Sequence, residues 1–196
     1  MPTVNYGAKE VSIKVVYYGP GLSGKTTNLR YIYTQIPGRH RGKMVSLATE
    51  LDQTLFFDFL PLDIGEIRGF TIRFHLYTVP GQVYYNVTRK LVLRKVDALV
   101  FVADSQKERL NENIESFENM IENLTAYGLS LNKIPCVIQY NKRDLPNILP
   151  IEELNKALNK KKLAYFQSVA ITGEGVMETL KSICKLAVKK VKLFVT

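Results

Sequence analysis

The chain has 196 residues, of which 46% are hydrophobic and 23% are charged, and its formal net charge is +9. These values are typical of a globular protein, and we expect one domain over residues 1–196. No apolar run reaches the roughly 18 residues of a membrane-spanning helix, so we expect no integral membrane segment. The first residues resemble neither a secretory signal nor a myristoylation site, so we expect a cytoplasmic protein.

Apolar runs rich in β-branched residues alternate with helical spacing along the chain. In chain order the patterns predict a strand at 11–18, a helix from Lys25 to about Ile36, a two-strand ribbon at 54–64 and 70–79, a strand at 97–104, a helix over 107–127, a strand at 134–140, a helix opened by Pro150, a strand at 164–170 and a final helix over 175–194. This alternation predicts an α/β fold, a three-layer αβα sandwich with a mainly parallel central sheet. Ligands of such sheets bind at the carboxyl ends of the strands.

A phosphate-binding loop follows the first of these strands. The residues GPGLSGKT match the P-loop pattern G-x-x-x-x-G-K-[ST], between a strand and a helix as that pattern requires. Glycines allow backbone N–H groups to face phosphate oxygens, Lys25 reaches the β- and γ-phosphates, and the Thr26 hydroxyl ligates magnesium. The alternative is a glycine-rich turn with a capping threonine. The predicted nucleotide contacts in this loop are Gly19, Gly21, Leu22, Ser23, Gly24, Lys25, Thr26 and Thr27.

A second motif, N-K-R-D at 141–144, follows the buried strand at 134–140 and predicts recognition of guanine. The Asp144 carboxylate accepts hydrogen bonds from the ring N1–H and the 2-amino group, which adenine lacks. The Lys142 stem lies over the base, and Asn141 ties this loop to the phosphate loop. In the last loop, at 168–175, Val169 and Ala170 lie near the base, and the Ala170 N–H donates to guanine O6.

The order of these motifs resembles the Ras-like small GTPases, and more closely the bacterial MglA family of polarity and gliding-motility GTPases. The resemblance rests on the stretches YYGPGLSGKTTNLRYIY, MVSLATE, TLFFDFLPLDIGEI, RFHLYTVPGQVYYN, VFVADS and NKRDLP. Threonine in place of aspartate in TVPGQ is itself a mark of that family. The resemblance implies a small G-protein fold and a switch between GTP and GDP that uses Mg²⁺.

The resemblance also assigns roles to individual residues. Thr54 matches the switch threonine that meets magnesium and the γ-phosphate, so the implied metal ligands are Thr26 and Thr54. Gly81 matches the glycine whose N–H senses the γ-phosphate, and Gln82 matches the residue that orients the attacking water. The implied catalytic set is Gln82, Thr54 and Lys25.

The resemblance also implies a cellular setting for the protein. It implies a strand that shifts register between nucleotide states, recruitment to a cell pole, a Roadblock-type activating partner like MglB, and effectors of polarity or motility.

One departure from the family lies at Gln53, where an arginine usually stands just before the switch threonine. An arginine finger contributes about 10³–10⁵ in rate, or roughly 4–7 kcal/mol of barrier. We therefore expect slow intrinsic hydrolysis, or help from another cation such as Arg39, Arg41 or Arg89. The alternative is that the Gln53 amide supplies an adequate hydrogen bond.

A second departure from most small GTPases is Thr78, which stands where an aspartate usually holds a magnesium-bound water. A threonine accepts one hydrogen bond from that water but carries no charge. Asp58 on the neighbouring strand supplies the carboxylate if the register of the ribbon turns it inward.

Three interpretations of function remain distinct at this point. The first is a hydrolysing GTPase switch, and the second is a slow or non-hydrolysing GTP-binding scaffold, which Gln53 favours and Gln82 disfavours. The third, a P-loop kinase, is disfavoured because no arginine-rich lid segment is visible. The lysines of the last third form a solvated face, or alternatively a contact for acidic lipids or an acidic partner. No pattern of nucleic-acid binding accompanies them, so we expect no nucleic-acid partner.

Overall fold

The computed structural model describes residues 2–48 and 54–191. Its strands are β1 (Thr3–Asn5), β2 (Glu10–Tyr18), β3 (Val45–Ala48), β4 (Thr54–Ile67), β5 (Phe70–Thr78), β6 (Ala98–Asp104), β7 (Cys136–Asn141) and β8 (Tyr165–Gln167). Its helices are α1 (Lys25–Gln35), α2 (Asn86–Leu93), α3 (Leu110–Thr125), α4 (Ile151–Leu158) and α5 (Val176–Val191).

The described strands form a sheet in the order β3-β4-β5-β2-β6-β7-β8, with β1 paired to the start of β2. From β5 through β2, β6 and β7 to β8, all neighbours are parallel. The β4–β5 ribbon and β3 join one edge in antiparallel pairing. The predicted α/β class with a mainly parallel sheet is confirmed, and the carboxyl ends of β2, β5, β6 and β7 meet on one side.

Alternation along β2 divides the core into two layers. Ile13, Val15 and Tyr17 face the layer that contains α1 and α5, whereas Val16 and Tyr18 face the layer that contains α2, α3 and α4. All five side chains are fully buried, as a strand covered on both faces requires. The predicted helices on both faces of the sheet are therefore present.

Most predicted elements are confirmed, with differences at their edges. The ribbon turns at Arg68 and Gly69, both with positive φ as a tight hairpin turn needs, so β4 runs three residues beyond the predicted 64. The last strand is shorter than predicted and covers only Tyr165–Gln167. β1, β3 and α2 have no counterpart in the sequence prediction.

Candidate phosphate and guanine site

The phosphate loop connects β2 to α1 and depends on two glycines. Gly19 has a φ of 149°, and a Cβ there would lie 2.1 Å from the carbonyl oxygen of Val102. Gly24 has a φ of 97°, and its Cβ would lie 2.2 Å from the Asn141 side-chain nitrogen. Neither position has room for a side chain, so the predicted glycine requirement is confirmed at both.

Lys25 lies inside this loop with only 6% of its surface exposed. Its ammonium donates to the carbonyls of Gly19 (3.1 Å) and Pro20 (2.6 Å). The pKa of Lys25 is lowered to about 7, chiefly by burial and also by the charge of Arg89, while the Asp58 carboxylate offsets part of the shift. An anion bound in the loop would reverse this shift, because opposite charge favours the protonated amine.

Asp58 is fully buried at the end of the phosphate loop. Its Oδ2 accepts hydrogen bonds from the hydroxyls of Thr26 (2.6 Å) and Thr78 (2.8 Å). Its Oδ1 accepts from the Ser46 hydroxyl, and its own N–H donates to Thr78 Oγ1 at 2.8 Å. The inward placement that the Asp58 hypothesis requires is confirmed.

These oxygens suit a magnesium ion, which prefers hard oxygen ligands and keeps several waters. The carboxylate of Asp58 and the hydroxyl of Thr26 already lie together at the phosphate loop. Within the described ranges, no group of three or more His, Cys, Asp or Glu side chains converges on a metal position. A site completed by nucleotide phosphates and water fits this arrangement better than a cage made by the protein alone.

The TVPGQ segment lies directly against the phosphate loop. A Cβ on Gly81 would lie 2.4 Å from the Gly21 Cα, so the two backbones are in close contact. The Gln82 Cγ lies 3.6 Å from the Cβ position of Gly21. The structure thus brings Gly21, Gly81 and Gln82 together.

Asn141 joins the phosphate loop to both guanine loops. It is 2% exposed at the end of β7, and its Nδ2 donates to the Ser23 carbonyl at 2.8 Å. Its Oδ1 accepts from the Ala170 N–H at 2.9 Å. The predicted tie to the phosphate loop is confirmed. Donation from Ala170 to guanine O6 requires its hydrogen bond with Asn141 to be shared or exchanged.

A second buried network, which the sequence reasoning missed, supports the same loops. Asn28 and Gln139 exchange amide hydrogen bonds of 2.8 and 3.0 Å, and Gln139 also donates to Thr179 Oγ1 at 3.0 Å. Asn28 donates to the Gly24 carbonyl at 2.9 Å and Thr179 to the Gly175 carbonyl at 2.6 Å. The signal was Gln139 itself, a lone amide within the apolar strand IPCVIQY.

The remaining predicted contacts vary in burial. Ser23 and Val169 are buried, Thr27 and Lys142 are half-buried, and Leu22 and Asp144 are exposed. Thr54 begins β4, but its side chain lies outside what the structure describes, and so does all of Gln53.

Comparison with known proteins agrees with this arrangement. A family model described as the ADP-ribosylation factor family matches residues 3–187. The mutual gliding-motility protein MglA of Myxococcus xanthus is 59% identical over 192 residues, which are 98% of each chain. The chain belongs to the MglA family of small GTPases.

More distant relatives share parts of this MglA-type chain. Human ADP-ribosylation factor-like protein 4A is 31% identical over 130 residues, 63% of this chain and 62% of the human protein. The structure of the Arl6 BBS3 small GTPase from Trypanosoma brucei with bound nucleotide analogue GppNp has a TM-score of 0.68 and 21% identity. It covers 91% of this chain and 98% of that one. The likeness confirms the small G-protein fold.

Three arginines were predicted as candidate substitutes for an arginine finger. Within the described residues, no hydrogen bond or ring contact directs any of them at the phosphate loop. Arg39 bonds to His40 at 3.1 Å, and Arg41 stacks 3.5 Å over the Tyr33 ring and donates to the Ile36 carbonyl. Arg89 is fully buried, lies 4.4 Å over the Tyr18 ring and donates to Ser116 at 2.6 Å. Its charge nonetheless lowers the pKa of Lys25, so Arg89 is the candidate closest to the site in electrostatic terms.

The segment after Gln82, a 3₁₀ turn at Val83–Tyr85 followed by α2, exposes an apolar stripe. Tyr84, Val87 and Leu91 are 70%, 75% and 60% exposed and stand at helical spacing on one side. Among the helices of residues 2–48 and 54–191, none combines the length and apolar character needed to cross a membrane.

Proposed function

We propose that the chain is a GTP-binding switch that hydrolyses GTP to GDP and phosphate. The observation that carries the proposal is the backbone contact of Gly81 with Gly21, which brings Gln82 against the phosphate loop. Membership of the MglA family supports it. In this proposal the whole chain acts as a single G domain.

Each part of the site has a separate task in this reaction. Lys25 binds the β- and γ-phosphates and gains its full charge as they approach. Gln82 orients water for in-line attack, and the Gly81 N–H meets the γ-phosphate.

Thr26 and Thr54 would hold magnesium, and Asp58 with Thr78 would hold its water ligands. Magnesium, when bound, would neutralise charge on the phosphates. The Thr26 hydroxyl donates its proton to Asp58, which leaves the lone pairs of its oxygen available to magnesium, so this hydrogen bond would orient the hydroxyl as a ligand.

Guanine selection rests on the loops that Asn141 joins. Asp144 is exposed at the end of the N-K-R-D loop, so its carboxylate is accessible to a base that binds from solvent. Its carboxylate would accept from N1–H and the 2-amino group, and an adenine nucleotide would leave it unpaired.

The cellular role follows from the relatives. We propose that the protein acts in the cytoplasm, is recruited to a cell pole, and controls polarity or motility through partners that read its nucleotide state. A Roadblock-type activating protein and downstream effectors are the expected partners. The exposed stripe of Tyr84, Val87 and Leu91, which follows Gln82 directly, is a suitable surface for them.

A second candidate is a GTP-binding scaffold that barely hydrolyses its nucleotide. Gln53 in place of the usual arginine favours it, and the other arginines are held by Tyr33, Ser116 and His40. The first proposal explains the same observations by a slow intrinsic rate of GTP hydrolysis that a partner accelerates.

Two measurements test these proposals in order. Chromatography of the nucleotide released from purified protein should show GDP or GTP and no adenine nucleotide. Single-turnover release of phosphate from preloaded GTP then separates the candidates, because a scaffold would keep its GTP with and without an activating partner. Recovery of protein that binds no guanine nucleotide would overturn both.

A further inference from the structure

Asp104 is a fully buried carboxylate beside the guanine loop. It ends β6 in register with Asn141, and its backbone exchanges hydrogen bonds of 2.9 and 2.7 Å with the Asn113 amide. The Lys142 ammonium lies 2.7 Å from its Oδ2, an ion-pair distance although the pair is not aligned as a hydrogen bond. The Lys142 ammonium compensates the charge of the buried carboxylate. The carboxylate in turn holds the ammonium in this position.

Arg109 extends this pair to the phosphate loop. Its Nη2 donates to the Gly21 carbonyl at 2.9 Å, and its Nε lies 4.0 Å from Asp104 Oδ2. Glu112 holds the other side of the guanidinium at 2.6 and 2.9 Å. Because the arginine is only 26% exposed and Asp104 not at all, these charges interact with less screening than surface pairs do.

We propose that the series Gly21, Arg109, Asp104 and Lys142 forms a charged bridge that holds the phosphate loop and the guanine loop together and slows nucleotide release. The inference rests on the proposed function, since it concerns the nucleotide bound between those loops. Release requires contacts with the phosphates and with the base to open. The bridge couples the two openings, so neither loop can move away without straining the other.

The backbone does not already supply this link. β6 and β7 pair in register up to Asp104 and Asn141, which fixes the guanine loop against β6. Gly21 lies in the phosphate loop, beyond the end of β2, and Arg109 reaches its carbonyl from the turn before α3. Loss of the arginine therefore removes the link at Gly21 and leaves the tie from Asn141 to the Ser23 carbonyl, so fewer contacts hold the two loops together while the sheet stays intact.

The test is release of a fluorescent methylanthraniloyl GDP, displaced by excess unlabelled GDP, from the variants Asp104→Asn and Arg109→Gln. Each variant removes one charged member of the bridge, so we expect release about 10-fold faster. In the double variant the combined acceleration should fall well short of the product of the two, because the two side chains act through one bridge. Arg109→Lys keeps the charge near Asp104 without the fork that also reaches Gly21, so it should release at an intermediate rate.

A surface arginine on the opposite side of the sheet serves as the control. Arg73 pairs with Glu10 and Asp63 at 2.7 Å, and Arg73→Gln should release GDP at the unmodified rate. The melting temperature without nucleotide should be nearly unchanged in Arg109→Gln, whose side chain is partly exposed, even if Asp104→Asn folds poorly.

Three outcomes are decisive. Unchanged release from Arg109→Gln, or strictly multiplicative effects in the double variant, would overturn the bridge. Failure of the unmodified chain to retain fluorescent GDP would instead overturn the proposed function.

Discussion

The two sides of the candidate site are held by different kinds of chemical group. On the guanine side, parallel strands end in loops that neutral amides hold, with Asn141 and Gln139 fully or almost fully buried. On the phosphate side, an antiparallel ribbon places one carboxylate, Asp58, among three hydroxyls beside the Lys25 ammonium.

This difference separates a fixed half from an adjustable half. The amide networks, and the ion pair of Asp104 with Lys142, are satisfied within the protein, so the guanine side is preorganised. The interactions of a buried carboxylate and a buried lysine change with every charge brought near them. The phosphate side is therefore where the γ-phosphate can alter the structure, and the predictions below test that contrast.

The largest effect should come from Lys25→Ala. Without the buried ammonium we expect GTP affinity to fall about 1000-fold, or ~4 kcal/mol, as for loss of one partner of a desolvated charge pair. Calorimetric titration measures it, with Lys181→Ala on the exposed side of α5 as the control. Retained affinity would place the phosphates away from this loop.

Gln82→Leu should lower the single-turnover rate of GTP hydrolysis about 100-fold, because the side chain that orients water is replaced by an apolar one. GTP affinity should change little. Gln35→Leu, at the exposed end of α1, is the matched control. A rate equal to that of the unmodified chain would assign the water to another residue.

Gln139→Leu tests the fixed half. Removal of its amide takes one hydrogen-bond donor from the buried oxygens of Asn28 and Thr179. We therefore expect a loss of about 2 kcal/mol in the free energy of unfolding. Urea denaturation measures it, and Gln167→Leu on the exposed side of β8 is the control. Equal stabilities of the two variants would contradict a structural role for the amide network.

Asp58→Asn should weaken magnesium-dependent GTP binding about tenfold more than it weakens GDP binding, because the lost charge faces the γ-phosphate side. Titrations with both nucleotides at fixed magnesium measure the ratio. Asp63→Asn, on the same strand but paired with Arg73, should leave the ratio unchanged. Equal weakening of both nucleotides by Asp58→Asn counts against its role near magnesium.

The last effect concerns pH, and it is small for each unit of pH. The pKa of Lys25 is about 7 in the folded chain, below its ordinary 10.5. Between these values the unfolded chain binds the extra proton, so the stability of nucleotide-free protein should rise with pH, by up to about 1.4 kcal/mol per unit. Below pH 7 both states are charged and the slope vanishes.

Lys25→Met should remove this rise, and urea unfolding at pH 7, 8 and 9 measures it. Parallel pH dependence in the two proteins would show that the lysine is not the titrating group.

Much of the site could be predicted because its motifs are local. The glycines of the phosphate loop and the tie through Asn141 follow from residue type and spacing. Asp58 was a conditional prediction, because its direction depends on which residue of the ribbon faces inward. Its position two residues before the buried Leu60 was the available signal.

Other features could not be predicted because their causes are tertiary. α2 is short and exposes Val87 and Leu91, so its pattern resembles a loop more than an amphipathic helix. Arg109 and Asp104 meet Gly21 and Lys142 across long stretches of chain, and nothing in their local spacing indicates it. The expectation of slow hydrolysis stays a prediction, since Gln53 lies outside the described residues.

The pairing of β4 with β5 restricts how the ribbon could rearrange. Asp58 shares its face of β4 with Leu60 and Leu62, so a slide by one residue would expose both leucines and turn the carboxylate outward. A slide by two residues, about 7 Å, would keep an inward face inside and carry Asp58 away from Thr26. Movement along this edge would therefore occur in even steps, and the hairpin at Arg68 and Gly69 would transmit each step to the opposite end of the sheet.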